Sequence, residues 1–245
     1  MSETVIIVPA RLESQRFPRK LLHPVRGRPL ILWTADNLRR IAGSIPFYFA
    51  VADPELQDVL EAEGHTCFQT DPNLPSGTDR IAAANRILGA KRIINAQADE
   101  PVLQAEHLSK LVDLLDCGMG MATLATPFDR LEDFRDPNKV KVVVGAQQQA
   151  LYFSRAPIPY NRASSDILPE ACYWHMGVYA YSADVLESFS AWPYGQLEQT
   201  ERLEQLRVLE NGHRIGVGIC QTRTVGIDVP EDIDVLEAYV SKQSN

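Results

Sequence analysis

The sequence predicts an α/β fold, with a mostly parallel central sheet flanked by helices and a smaller β-rich subregion. Three observations carry that reading. Val5-Ile6-Ile7-Val8 is β-branched throughout, which suits a strand buried on both faces. Short apolar runs of this kind alternate with segments of helical periodicity along the first half of the chain. The helical segments carry boundary residues of their own, proline at the start and glycine at the end. Strand and helix in alternation mark βαβ units, whose strands run parallel.

Val5–Val8 is the first strand. Pro29 opens a helix in which Leu30, Trp33, Ala35, Leu38 and Ile41 recur at helical spacing before Gly43. Phe47–Val51 is the second strand. A helix from Pro54 carries Leu56, Val59 and Leu60 and closes at Gly64. A strand near Thr66–Gln69, a helix near Asp79–Leu88 and a strand at Arg92–Ala96 continue the series. The second half is less regular. Strands are expected at Val140–Val144, Ala150–Ser154 and Met176–Tyr181. One long helix is expected from Leu197 to Glu210, stopped by Asn211-Gly212, and a terminal helix from Pro230-Glu231-Asp232. No linker, repeat or low-complexity tract interrupts residues 1–245, so a single domain is expected.

The chain has 245 residues, 24 Lys+Arg and 32 Asp+Glu, for a formal net charge of −8. With 45% apolar and 23% charged residues, it can bury enough surface to offset chain entropy. An acidic chain lacks the counterion-release drive of a basic nucleic-acid binder. A few placed Arg and Lys can still hold a small phosphorylated molecule. The longest apolar stretches, such as Ile45–Ala52, fall far short of the roughly 20 residues of a membrane-spanning helix. Thr4–Val8 lacks the basic flank and the length of a signal peptide. Cys67, Cys117, Cys172 and Cys220 form no CxxC pair and no zinc spacing. Four free thiols, mostly buried, in a reducing cytoplasm are expected.

Pro9 to Lys20 directly follows the first strand and holds four basic residues, Arg11, Arg16, Arg19 and Lys20. Ligands of open parallel sheets bind beyond the carboxyl ends of the strands, and this density of cations suits a triphosphate. Neither GxxxxGK[ST] nor GxGxxG is present, so neither a P-loop nor a dinucleotide fingerprint has support. In Ser76-Gly77-Thr78-Asp79-Arg80, Gly77 permits close backbone approach to a ligand, although plain helix capping by the hydroxyls accounts for this segment by itself. Asn95 to Pro101 ends a strand with two acids. Asp99 is placed to hold a hard cation such as Mg²⁺, which prefers oxygen ligands and shares substrate phosphates; a turn-forming Asp is the competing reading. Asp228 is a second strand-end acid, and two separated acids with a basic loop favour a metal–triphosphate site over any one element alone. Tyr152-Phe153-Ser154-Arg155 and His175-Met176-Gly177-Val178-Tyr179 form a second polar set. A strand-end Arg can grip a carboxylate with two hydrogen bonds. His175 equally suits a hydrogen-bonded structural histidine. Glu204 and Gln205 face either solvent or a pocket.

On these residues the chain resembles the 3-deoxy-D-manno-octulosonate (Kdo) cytidylyltransferase family. The matching segments run collinearly along essentially the whole chain: Ile7–Arg11, Ser76–Arg80, Gln97–Pro101, Asp136–Lys141, Ala150–Pro159, His175–Tyr181 and Leu203–Arg207. The first and third are widespread among sugar nucleotidyltransferases. The Tyr152–Pro159, His-x-Gly-x-Tyr and Glu-Gln-Leu-Arg segments are far more specific to the Kdo branch. The resemblance implies a Rossmann-like nucleotidyltransferase fold, with a sugar-binding and dimerisation subregion at roughly 121–215. It implies a Mg²⁺-dependent reaction in which CTP and Kdo give CMP-Kdo and pyrophosphate for lipopolysaccharide synthesis. It also implies a cytoplasmic homodimer with no nucleic-acid partner and no membrane insertion. By position, Arg11 and Lys20 bind the triphosphate and join Asp99 and Asp228 as the catalytic set. Ala10, Ser76, Gly77, Arg80 and Gln97 lie against the nucleotide, and Asp99 and Asp228 hold Mg²⁺. Ser14, Arg16, Arg155, His175, Tyr179, Glu204 and Gln205 bind the sugar.

Three positions depart from that pattern. Ala98 stands where the family usually has glycine. Arg19-Lys20-Leu21 stands where Gly-Lys-Pro is frequent. Trp174 precedes His175 where a basic residue is common. Two alternatives stay open: a cytidylyltransferase for 8-amino-Kdo or another acidic sugar, and a catalytically silent nucleotide-binding protein.

Overall fold

The computed structural model describes residues 3–14, 16–164, 166–224 and 226–243. Gln15 of the basic segment lies outside them. The chain divides into two compact units, Met1–Ala105 with Thr224–Asn245, and Glu106–Arg223.

In the first unit β1 (Thr4–Ala10) is followed by a small hairpin of β2 (Pro24–Val25) and β3 (Arg28–Pro29), then β4 (Phe47–Val51), β5 (Cys67–Gln69) and β6 (Arg92–Asn95). The parallel strands stand in the order β6-β1-β4-β5. Ile6 of the inner strand faces Phe47 on one side and Ile94 on the other. Ile6, Ile7 and Val8 are fully buried, which is why this strand is apolar without alternation. Helices α1 (Leu30–Ile41), α2 (Pro54–Ala62) and α3 (Gly77–Leu88), with a terminal helix at Asp232–Gln243, complete the unit. Helix α3 starts two residues before the expected Asp79, because the Ser76 hydroxyl accepts from the Asp79 amide and satisfies the first turn. The terminal helix starts at Asp232 rather than Pro230. The Asp232 carboxylate accepts from the Asp228 and Val229 amides at 2.8 and 3.0 Å and fixes the turn before it.

The second unit contains α4 (Ala105–Asp116), β7 (Met121–Pro127), α5 (Leu131–Arg135), β8 (Lys141–Val144), β9 (Ala150–Ser154), β10 (Cys172–Ser182), α6 (Ala183–Ala191), α7 (Gln196–Glu201), α8 (Leu206–Glu210) and β11 (Ile215–Ile219). Its strands pair antiparallel through β7-β10-β8-β9, with β11 parallel to β7. A bulge in β10 between Met176 and Tyr179 shifts its register against β7.

The single helix expected from Leu197 to Glu210 is in fact two, broken at Arg202, whose φ is 55°. The reason is a buried ion pair. Arg207 Nε donates to Glu198 Oε2 at 2.8 Å, across nine positions. In a continuous helix residues so spaced lie on opposite faces, about 180° apart, so the pair requires the break. The Arg207 guanidinium also lies over the Phe189 and Tyr194 rings, at 4.2 and 4.4 Å. The thiols are all free, but only Cys172 and Cys220 are buried; Cys67 is half-buried and Cys117 exposed.

Candidate active site

The end of β1, the loop that follows it, the start of α3 and the turns after β6 and before the terminal helix are all in the first unit. There Ala10, Arg11, Ser14, Arg16, Lys20, Ser76, Gly77, Arg80, Gln97, Asp99 and Asp228 line one cavity of about 490 Å³, with Pro9, Glu13, Leu21 and Ala98. The loop after β1 is pinned at its base. The Leu12 amide donates to Asp53 Oδ2 at 2.8 Å, and the Arg19 amide donates to the Leu12 carbonyl at 3.3 Å. That closure puts Arg19 in the left-handed region at φ 57°, a conformation that favours glycine. Arg19 meets Glu55 as a surface ion pair. The next residue, Lys20, turns inward with only 13% of its side chain exposed.

Lys20 Nζ is where the acidic groups converge. It pairs with Asp99 Oδ2, donates to the Ile227 carbonyl at 2.9 Å and lies 3.5 Å from Asp228 Oδ1. Arg16 Nη2 reaches the same Asp228 oxygen at 2.7 Å. Ala98 buries its methyl, and its carbonyl accepts from Thr34 Oγ1 at 2.8 Å. Its φ is not positive, so nothing in the backbone demands a glycine there. Gly77 approaches β1 closely: a Cβ there would meet Pro9 Cγ at 3.4 Å. The α3 N-terminus thus lies against the strand end, with Gly77 in the cavity wall and the positive end of the helix dipole directed toward it. Arg11 is half-exposed and 3.9 Å from Glu13.

Arg80 is 1% exposed. Its Nη1 serves Thr70 and the Asp71 carbonyl, and its Nη2 is buried without a hydrogen-bond partner among the described residues. Burial, with Arg11 nearby, pulls its pKa down. An unserved guanidinium nitrogen in a cavity wall is a site for a ligand acceptor. Glu100, which the sequence reading passed over, has its pKa pushed up to about 8, chiefly by burial and then by Asp99. Its Oε2 is buried without a hydrogen-bond partner among the described residues. The only sequence signal for it is the doubled acid Asp99-Glu100.

The second unit holds the other predicted residues. His175 is buried, with Nε2 3.0 Å from Thr123 Oγ1 and its ring against Phe153 and Tyr179. Burial pushes its pKa down to about 3, so it is neutral in the physiological range. Arg155 donates from Nε to the Glu201 carbonyl at 2.7 Å, from Nη1 to the Pro137 carbonyl at 3.1 Å and from Nη2 to the Arg202 carbonyl at 3.4 Å. Glu201 answers through its carboxylate, accepting from Ser154 Oγ and the Arg155 amide. Gln205 is buried, and its Nε2 has no partner among the described residues; Glu204 is half-buried beside it. Trp174 stacks on Phe128 and lies under two cations, Lys139 Nζ at 4.9 Å and Arg223 Cζ at 4.5 Å from its centroid. Positive charge at this point therefore comes from the neighbours of position 174.

A phosphate-sized run of cations around two carboxylates, beyond the carboxyl ends of parallel strands, is the arrangement of a nucleotidyltransferase. The chain belongs to the cytidylyltransferase family, whose model matches residues 5–215. It is 42% identical over 244 residues to the 3-deoxy-manno-octulosonate cytidylyltransferase of Anaeromyxobacter sp. (strain Fw109-5), covering 98% of each chain. It is 38% identical over 242 residues to the 8-amino-3,8-dideoxy-manno-octulosonate cytidylyltransferase of Shewanella woodyi, covering 96% of this chain and 98% of that one. Among solved structures it superposes with a TM-score of 0.91 on a CMP:2-keto-3-deoxy-manno-octonic acid synthetase complexed with CTP, at 33% identity over 99% of this chain and 100% of that one.

Proposed function

We propose that the protein is a Mg²⁺-dependent cytidylyltransferase that joins CTP and Kdo to form CMP-Kdo and pyrophosphate, for lipopolysaccharide synthesis. The observation that carries this reading is the convergence of Asp99 and Asp228 on one cation position in a cavity rich in Arg and Lys. Two carboxylates and the Ile227 carbonyl around Lys20 Nζ are hard oxygen donors, which fits Mg²⁺. Among the described residues no group of three His, Cys, Asp or Glu assembles to hold a metal. A Mg²⁺ ion held by Asp99 and Asp228 would share substrate phosphate oxygens, as this hard cation prefers. Bound there, Mg²⁺ would neutralise phosphate charge and lower the pKa of the attacking sugar hydroxyl.

Arg11 and Lys20 balance the triphosphate and turn its α-phosphorus toward the acceptor. The positive end of α3 and Arg80 Nη2, which has no partner among the described residues, receive acceptors of the nucleotide. The C2 hydroxyl of Kdo attacks the α-phosphorus and releases its proton to solvent, the bond to the β-phosphate oxygen breaks, and pyrophosphate leaves with its charge on cationic partners. By the family resemblance, sugar recognition is assigned to Ser14, Arg16, Arg155, His175, Tyr179, Glu204 and Gln205. Uncharged His175 serves there as a hydrogen-bonding and packing group. A homodimer is supported by the exposed Leu151, Tyr160, Ile167, Tyr194 and Leu197 of the second unit. A reducing, cytoplasmic location is supported by four free thiols. No helix among the described residues is long and apolar enough to cross a membrane.

A second reading, activation of 8-amino-Kdo, is favoured by relatives such as that of Shewanella woodyi. Pyrophosphate release from CTP and Mg²⁺ with Kdo, with 8-amino-Kdo or with no sugar separates the readings. Release with Kdo supports the first. Release only with the amino sugar establishes the second. No release from folded protein that binds CTP overturns both and leaves a silent nucleotide-binding protein.

A further inference from the structure

The two carboxylates are already paired with the protein's own cations. Lys20 Nζ contacts Asp99 Oδ2 and the Ile227 carbonyl and lies 3.5 Å from Asp228 Oδ1. These are the oxygens a divalent ion would take. The backbones that carry them are fixed independently of the lysine. The Ile227 amide donates to the Asp99 carbonyl at 2.9 Å, and the Asp228 amide donates to the Asp232 carboxylate. The carboxylates are therefore preorganised, and the Lys20 side chain is the part able to move. With 13% exposure for Lys20 and 25% for Asp99, solvent screens their contact little. Arg16, at 66% exposure, adds a weaker, screened hold on Asp228.

We propose that Lys20 is a tethered counter-ion that occupies the divalent-cation position of the nucleotide-free protein and gives it up only when a triphosphate offers the ammonium another partner. This rests on the metal reading above and deepens it. A tethered ammonium competes with metal at every metal concentration, so Mn²⁺ or Mg²⁺ binds poorly without nucleotide. By linkage, nucleotide and metal each tighten the other. Lys20 here is a positioning residue for the metal, in addition to its contact with phosphate.

The test is a Mn²⁺ titration of the nucleotide-free protein, followed by electron paramagnetic resonance of the free ion, for wild type, Lys20→Met, Lys20→Gln and Lys20→Arg, each checked for folding by circular dichroism. Removing the ammonium is expected to tighten Mn²⁺ by about tenfold or more, while Lys20→Arg stays as weak as wild type. In Lys20→Met combined with Asp99→Asn the gain is expected to vanish. Either neutral variant, if folded, suffices for the comparison. Neutral variants that bind Mn²⁺ no more tightly than wild type overturn the proposal. Pyrophosphate release by wild type is measured beside this, with Mg²⁺ and with EDTA. Release that persists in EDTA overturns the metal reading and the counter-ion with it. Release that needs Mg²⁺, combined with unchanged Mn²⁺ affinity in the neutral variants, overturns the counter-ion alone.

Discussion

Replacing Lys141 by methionine removes a charge that β8 buries without any exposed surface. The ammonium is held by the Asp136 and Lys139 carbonyls at 2.9 and 2.8 Å. Burial pushes its pKa from 10.5 down to about 8; Asp136 and Glu201 oppose the fall, and Arg155 adds to it. The difference, 10.5 − 8, corresponds to about 3 kcal/mol. Because the folded value lies below the unfolded one, the unfolded chain holds the proton more tightly. The full cost is present below about pH 8 and is relieved as pH rises from there toward 10.5. In the methionine variant that dependence disappears, and the Lys139 carbonyl loses its donor at about 1–3 kcal/mol, while the Asp136 carbonyl keeps the Lys139 amide at 3.1 Å. The absolute change at pH 7 is thus a contest, but its pH dependence is not. Urea unfolding of both proteins at pH 7 and pH 10 measures it. Relative to wild type, Lys141→Met is expected to be about 2–3 kcal/mol more favourable at pH 7 than at pH 10. Curves that stay parallel between the two pH values would refute the reasoning.

Asp228→Asn is expected to lower kcat about 100-fold or more while the Kd for CTP, measured without added metal, changes less than about threefold; equal losses in steady-state kinetics and metal-free calorimetry would count against a role in the chemical step. Arg80→Lys keeps the charge but loses the nitrogen that lacks a partner, and is expected to weaken CTP about tenfold by calorimetry. An unchanged Kd would remove Arg80 from the nucleotide site. Arg19→Gly relieves the positive φ and loses only a surface ion pair. It is expected to raise stability by up to about 1 kcal/mol, whereas Arg19→Ala lowers it. A glycine variant less stable than the alanine variant in urea would show that the loop backbone is not strained.

The helices and strands of the first unit were largely legible in the sequence, because their causes are local. β-branching in Val5–Val8, proline at positions 29 and 54 and glycine at 64 act within a turn of the chain. The Ser76 cap was legible too, and it moved the helix start by two residues without changing its existence. The basic loop and Asp99 were legible as chemical types beyond strand ends; Asp228, also expected at a strand end, lies instead in the turn before the terminal helix, well past the last strand at Ile215–Ile219. Their meeting was not: Lys20 and Asp99 are 79 positions apart, and Lys20 and Ile227 are 207 apart. Sequence periodicity also joined α7 and α8 into one helix, since nothing local reveals that Glu198 and Arg207 are buried together. Lys141 and Glu100 look like surface charges by type, and only packing makes them buried ones. So the sequence by itself determined the alternating strands and helices of the first unit within a few residues and the chemistry available near them, and left α4, β7, α5, α6 and β11 of the second unit unread. Only the tertiary structure decided which charges face one another and which are removed from water, because partner choice and desolvation depend on topology that spans the whole unit.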